Sequence, residues 1–240
     1  NGEQLRQILT AAGIRWETMP FTSKPPVLSK LYDQVRLNAK AAWLHKKEKY
    51  DLIHCRSYVA AAAGIKLKKR FNVPFLFDMR GFWVDERVDS GLWNLKNPLY
   101  KWFYKVYKKK ELQYFLQSAH IISLTNKGKE ELINAYKVTG DKISVIPCCA
   151  DLQHFDYRLI SEAKKQEIKS QLNIGHSKKV LSYLGSLGGW YMTGEMLDFF
   201  VILKTKIPES IFLFITQDNR DEIIKAASAK GISADDIRVQ

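Results

Sequence analysis

The chain has 240 residues, 46% hydrophobic and 26% charged, an ordinary globular composition with apolar material for one large core or two small ones. Its formal charge of +13 favours an anionic partner: nucleic acid, an acidic membrane surface or a phosphorylated substrate. Its three cysteines, Cys55, Cys148 and Cys149, are too few and badly spaced for a disulfide framework or a zinc site, no apolar run approaches the roughly 18 to 20 residues of a spanning helix, and no signal peptide opens the chain, so the sequence reads as neither an integral membrane protein nor a stapled secreted domain.

Residues 3–12 carry Leu5, Ile8 and Leu9 at helical spacing with Gly13 after them, an amphipathic helix with a glycine cap. Residues 14–19 read as a short strand, 20–26 as a loop, and 27–50 as a long basic helix with an apolar stripe wide enough to pack on a sheet. Residues 51–55 form a short apolar strand, 59–70 an Ala-rich helix, and 75–77 a buried strand. That is a βαβ unit with parallel strands and a right-handed crossover.

The next stretch, Val73-Pro-Phe-Leu-Phe-Asp-Met-Arg-Gly-Phe-Trp-Val-Asp-Glu86, is the most informative. Its apolar run suits a strand buried on both faces, and Asp78 and Arg80 then place opposite charges beside Gly81. Ligands of open α/β sheets gather beyond the carboxyl ends of strands, so Asp78, Arg80 and the loop 83–86 are site candidates, with Arg56, Ser57 and Tyr58 at the same sheet edge. The alternative is an Asp78–Arg80 ion pair that only braces the loop.

Residues 97–119 read as a helix with Pro98 in its first turn, mixing aromatics with five lysines. Such a mixture suits nucleic-acid stacking or a membrane interface, but Leu99, Trp102, Phe103 and Val106 recur as a core stripe, leaving Tyr and Lys residues outward. A strand at 120–124, an N-cap at Thr125 with a helix at 126–136, and a strand at 142–146 complete an alternation that predicts a doubly wound parallel sheet. Residues 148–157 lack a clean period. Beyond them a helix at 161–172, a strand at 178–184, a glycine-rich loop, and helix, strand, helix at 195–206, 211–215 and 220–230 begin a second α/β domain. Residues 236–240 read as a strand cut short, and the chain reads as a piece of a longer polypeptide.

These pieces together resemble the retaining glycosyltransferases of family four, with the two-Rossmann-domain GT-B fold. Tyr50-Asp-Leu-Ile-His-Cys-Arg-Ser-Tyr58 resembles the family's Asp-x-Ile-His strand, and Asp78 to Trp83 its Asp-x-Arg-x-x-Trp element. Ile121-Ile-Ser-Leu-Thr125 resembles its apolar strand ending in Ser or Thr, Val145-Ile-Pro-Cys-Cys-Ala-Asp151 its hinge signature, and Tyr183-Leu-Gly-Ser-Leu187 its donor loop. The fold class implied is α/β, GT-B-like, with two Rossmann-like doubly wound domains, both incomplete in this chain. An acceptor-side domain would span 1–147, a linker 148–176, and the start of a donor-side domain 177–240.

The resemblance implies metal-independent transfer, with no cofactor, of a sugar from a nucleotide-sugar donor to a glycan or lipid-linked acceptor with retention. It makes Asp78 and Arg80 catalytic candidates, Arg56, Ser57, Tyr58 and Trp83 acceptor contacts, and Gly185, Ser186, Gly188, Gly189 and Tyr191 donor contacts. Ser186 and Tyr191 stand where the family has an Arg and a Lys that grip the diphosphate, which leaves backbone N–H groups of 185–189 as the donor cradle or the loop as a purely geometric turn. The family's Glu-x7-Glu element and first glycine-rich loop fall outside residues 1–240, so this chain alone is expected to be inactive. Lys40, Lys46, Lys47 and Lys49 with Lys105 and Lys108 to Lys110 would give peripheral contact with an anionic membrane, at its cytoplasmic face. His54 reads as a core histidine or a functional one, Cys148 and Cys149 as buried structural thiols, and Asp151 and Phe155 as fixing the linker. Residues Asp85, Glu86, Arg87 and Asp89 read as a solvated charged loop or as acceptor ligands. Two rivals remain: a non-catalytic nucleotide-sugar sensor, and a basic nucleic-acid-binding domain, for which no recognisable motif exists, so no nucleic-acid partner is expected.

Overall fold

The structure is a computed structural model describing residues 2–188 and 191–240, apart from the side chains of Pro26 and Val27. The chain folds as two compact units, one running up to Arg87 together with Asn94–Cys148, the other Val88–Trp93 together with Cys149–Gln240.

The first unit opens with helices α1 (Gly2–Ala11) and α2 (Pro26–Glu48). Residues 14–19 form no strand. A strand exists through its ladder, and this segment pairs with no neighbour among the described residues; it is instead tied to α2, with Lys40 Nζ donating to the Thr18 carbonyl at 2.9 Å and Arg15 Nη1 to Glu48 at 2.8 Å. Next come β1 (Ile53–Arg56), α3 (Ser57–Phe71), β2 (Phe75–Asp78), α4 (Trp83–Asp89), α5 (Pro98–Gln117), β3 (His120–Ser123), α6 (Asn126–Asn134) and β4 (Ile143–Val145). The strands form one parallel four-stranded sheet in the order β1-β2-β3-β4.

That sequential order has a consequence: right-handed crossovers between successive neighbours place their helices on one face. On this face Cys55, Phe75, Phe77, Ile121, Ser123 and Ile143 are buried, whereas His54 and Arg56 on the other are exposed. The period-2 alternation of a strand thus turns His54 away from the core that takes Cys55, against the expectation of a core histidine. Close approach of α3 to the sheet depends on Gly64, where a Cβ would lie 2.6 Å from Cys55 Sγ and 3.0 Å from the Phe75 ring.

Helix α5 begins as expected, with Pro98 in the first turn and Asn97 accepting from Leu99 N. Its buried face differs from the expected stripe: Leu99 and Trp102 are exposed, and the helix instead buries Glu111, Tyr114 and Phe115. Lysines from elsewhere satisfy its last carbonyls. Lys68 Nζ donates to Gln117 O at 2.5 Å, and Lys142 Nζ to Phe115 O at 2.7 Å and Leu116 O at 2.9 Å, cations at the negative end of the helix dipole. Burial, and then the neighbouring Lys68, lower the Lys142 pKa.

The second unit contains α7 (Glu162–Gln171), β5 (Lys179–Leu184), α8 (Thr193–Lys206), β6 (Ser210–Ile215), α9 (Arg220–Ser228) and β7 (Ile237–Val239). Its parallel sheet has the order β5-β6-β7, with the apolar run of β6 buried from Ser210 to Phe214 against Leu197, Phe200, Ile223 and Ile237. Helix α7 falls within the expected linker, yet Arg238 of β7 donates to the carbonyls of Leu172 (3.1 Å) and Asn173 (2.9 Å) at its end. Cys148 and Cys149 are exposed, correcting the expectation of buried thiols; Cys55 is the buried one. Asp151 does fix a turn, its Oδ1 accepting from Gln153 N and His154 N, while the Phe155 side chain is exposed.

Candidate functional site

The carboxyl ends of β1 and β2 lie side by side, with Arg56 paired in register with Asp78. Asp78 is 5% exposed, and its Oδ2 lies 3.2 Å from Arg56 Nη1 and 3.4 Å from His54 Nε2. The carboxylate therefore has its partners on β1, not at Arg80. Both partners are more than half exposed, so this pair contributes little to stability, about 0–1 kcal/mol. It does fix where a negative charge sits at the sheet edge.

Two residues just past these strand ends have left-handed backbones without being glycine: Ser57 (φ 69°) and Arg80 (φ 60°). Arg80 is the centre of a γ-turn in which Gly81 N donates to the Met79 carbonyl at 2.7 Å, and its side chain is exposed. Strain of about 1–3 kcal/mol at such positions persists only where the surroundings over-determine them.

Those surroundings are a buried polar network. Glu111, with no exposed surface, accepts from Lys108 Nζ at 2.5 Å, from Tyr136 OH at 2.8 Å and from Tyr58 OH at 2.5 Å. Lys108 also donates to the Tyr136 hydroxyl and to Asp85 Oδ2 (2.8 Å), and Tyr104 donates to Asp85 Oδ1 (2.8 Å). Tyr58 OH is 3.2 Å from the Gly81 carbonyl, and Phe82 stacks on Tyr136 at 12°. Gly81, Phe82 and Asp85, after the Arg80 turn, are thereby attached to α3, Tyr136 and α5 respectively. Burial, and then the Glu111 charge, push the Tyr58 phenol far above its ordinary value, and burial does the same for Tyr136. For Lys108 burial acts downward, but hydrogen bonds to Asp85, Glu111 and Tyr136 outweigh it and hold the ammonium charged.

The expected loop from Trp83 onward is the helix α4, and Asp85 is a network member there. Trp83 packs on Tyr107 (5.4 Å) and Tyr58 (5.8 Å) under the Arg87 guanidinium (5.0 Å). Tyr58, an expected acceptor contact, is 6% exposed with its hydroxyl committed to Glu111. Lys108, expected on an outward basic patch, is spent inward. Sequence reasoning passed over Glu111 and Tyr136; the signal was an i,i+3 Lys–Glu pair set among aromatics.

In the second unit the glycine-rich loop after β5 has Gly185 (φ 147°) and Gly188 (φ 121°) in backbones that favour glycine, while Gly189 lies outside the described residues. Four of its described N–H groups have internal acceptors: Gly185 N donates to Ile215 O (3.1 Å), Leu187 N to Asp218 Oδ2, Gly188 N to Thr193 Oγ1 (3.4 Å) and Tyr191 N to Gly188 O (2.9 Å). The carbonyl of Ser186 accepts from Tyr183 OH at 2.7 Å. A carboxylate, Asp218, thus occupies the loop where an anion cradle was expected. Among the described residues no three His, Cys, Asp or Glu side chains gather as a metal group, and no helix is long and apolar enough to cross a membrane.

Two parallel α/β units with ligand-type strand ends define a GT-B-like fold, and solved structures share it. A glycosyltransferase from Rickettsia africae superposes with a TM-score of 0.62 at 16% identity, covering 98% of this chain and 57% of that one. Sucrose-phosphate synthase from Thermosynechococcus elongatus gives 0.61 at 17% identity over 95% and 54%, and UDP-GlcNAc 2-epimerase from Neisseria meningitidis 0.52 at 15% over 99% and 60%. The chain therefore spans little more than half the length of these structures. No curated protein matches it by sequence. The sequence pattern of Glycosyltransferase Family 4 matches residues 10–154, more than half of the chain, and the protein belongs to that family.

Proposed function

We propose that the protein of which this chain forms part transfers a sugar from a nucleotide diphosphate sugar to a glycan or lipid-linked acceptor with retention, without a metal, at the inner face of a membrane. The observation that carries this reading is a buried Asp78 at the end of β2 with a strained, exposed Arg80 two residues beyond it, within the segment matched by the family. A fixed carboxylate and an exposed guanidinium next to a strand terminus suit an acceptor hydroxyl that must be oriented while negative charge leaves on a diphosphate. Arg56, Ser57 and Trp83 would meet the acceptor, with Tyr58 positioning the loop from beneath. Donor contacts would fall to Gly185, Ser186, Gly188, Gly189 and Tyr191.

In the full-length protein, Arg80→Ala should lower turnover more than donor affinity. Unchanged turnover would return Arg80 to a bracing role. A second reading, a nucleotide-sugar sensor, is favoured by one observation: the uncharged donor loop has its amides engaged by Asp218 and Thr193. Calorimetry against UDP-, GDP- and ADP-sugars, paired with a turnover assay, separates the two, because a sensor binds without turnover.

A further inference from the structure

Segment 147–150, which follows β4, lies in no helix or strand, yet the chain is anchored on both sides of it. Before it, Ile146 N donates to the Ser123 carbonyl at 2.9 Å; after it, Asp151 Oδ1 accepts from Gln153 N at 2.9 Å and from His154 N at 3.1 Å. The ring of Pro147 fixes its φ, so the torsions left to turn between these anchors belong to Cys148, Cys149 and Ala150.

Cys148 and Cys149 are both exposed thiols and neighbours in the chain, whereas Cys55 is 1% exposed. Among the described residues no third His, Cys, Asp or Glu side chain joins them as a metal group, so the pair lacks the four-ligand shell of a structural zinc site. The chemistry left to it is between its two sulfurs. Adjacent Cα atoms lie about 3.8 Å apart across a trans peptide, below the roughly 4.4–6.8 Å of ordinary disulfides. A bond between the two sulfurs therefore closes only with the intervening torsions twisted, which a helix or strand would forbid and this segment permits. Such a bond is strained, and a strained, exposed disulfide belongs to the easily reduced, regulatory class and not to the structural one.

We propose that Cys148 and Cys149 form a reversible redox site whose co-reactant is a low-molecular-weight disulfide of the glutathione type. One cysteine thiolate attacks a sulfur of the co-reactant; a mixed disulfide forms, and the small thiolate expelled takes up the proton that the cysteine gave to solvent. The neighbouring cysteine loses its proton in turn and attacks the protein-side sulfur, so the vicinal S–S bond forms and the second small thiol leaves. Two protein thiols are thereby oxidised by two electrons, and one co-reactant is reduced to two thiols. Closure locks segment 147–150 between its anchors. The site uses no part of the sugar-transfer machinery, so it stands or falls apart from the function proposed above.

The folded chain is incubated with glutathione disulfide, capped with N-ethylmaleimide and its intact mass measured, with the modified residues placed by peptide mapping. The expected product has lost two hydrogens, retains no glutathione, and leaves Cys148 and Cys149 uncapped, while Cys55 is capped only after unfolding. Cys148→Ser and Cys149→Ser, both at exposed positions, should each stop at one retained glutathione, because the thiol that resolves the mixed disulfide is gone. Reduced glutathione in about tenfold excess over its disulfide should return the parent chain to two thiols. Unreacted thiols, two retained glutathiones, a disulfide-linked dimer, or a ring that resists that excess would overturn the proposal.

Discussion

The two candidate loops, one in each unit, are held by opposite means. The Met79–Trp83 turn of the first unit rests on a buried carboxylate that gathers a lysine and two tyrosines, whereas the glycine-rich loop of the second is held by exposed hydrogen bonds to Asp218, Thr193 and Tyr183. Low dielectric strengthens the first set and water competes with the second. One loop is preorganised from within and the other is held by exposed bonds that water can contest.

The largest test of this contrast is Glu111→Ala. It leaves Lys108 charged and half-orphaned and strands two phenols in the interior, so it should cost about 3 kcal/mol or more in urea unfolding. A loss below about 1 kcal/mol would show that the network does not hold the turn.

Next comes the core beneath the turn. Burial pushes the Cys55 thiol up to about 11 from its ordinary 9.0. The folded state thus keeps a proton that the unfolded chain releases near pH 9, so this contribution is complete below pH 9 and is lost as pH rises toward 11. Cys55→Ala should flatten the stability profile between pH 9 and 11 by on the order of 1–2 kcal/mol, relative to the parent chain. In the same chain at neutral pH an aromatic disulfide reagent should react promptly with Cys148 and Cys149 and reach Cys55 only after unfolding.

Much of this architecture was legible in sequence because it depends on local pattern. The apolar run ending at Asp78 marked β2 and the site, and Asn97-Pro98 and Thr125 marked two helix starts. What failed depends on partners that are not local. Residues 14–19 have strand-like composition but no ladder, and the aromatics of α5 surround the helix so evenly that hydropathy chose Leu99 and Trp102, while hydrogen bonding chose Glu111. A buried carboxylate looks like surface until its donors Tyr136 and Tyr58, 25 and 53 positions from Glu111, are brought to it. The core alternative for His54 failed for a simpler reason: neighbours in a strand face opposite sides.

Arg80→Gly separates strain from chemistry. Glycine accepts φ 60° freely, so the fold should gain about 0.5–1 kcal/mol, while turnover of the full-length protein should fall. A stability gain with unchanged turnover would make the strained turn an accident of packing.

The smallest effect is expected at Asp218→Asn. Asparagine keeps an oxygen for Leu187 N and the Thr216 hydroxyl, both at exposed sites, so unfolding stability should move by less than about 0.5 kcal/mol. Electrostatics changes more: a carboxylate beside the loop amides repels a diphosphate, and neutralising it should raise affinity for UDP several-fold, most visibly at low salt. If UDP binding is equally weak before and after, the loop is a geometric turn whose amides never leave their internal acceptors, and donor recognition lies elsewhere in the protein. If affinity rises without loss of stability, the exposed loop is the adaptable half of the pair and Asp218 is the group a donor phosphate must displace.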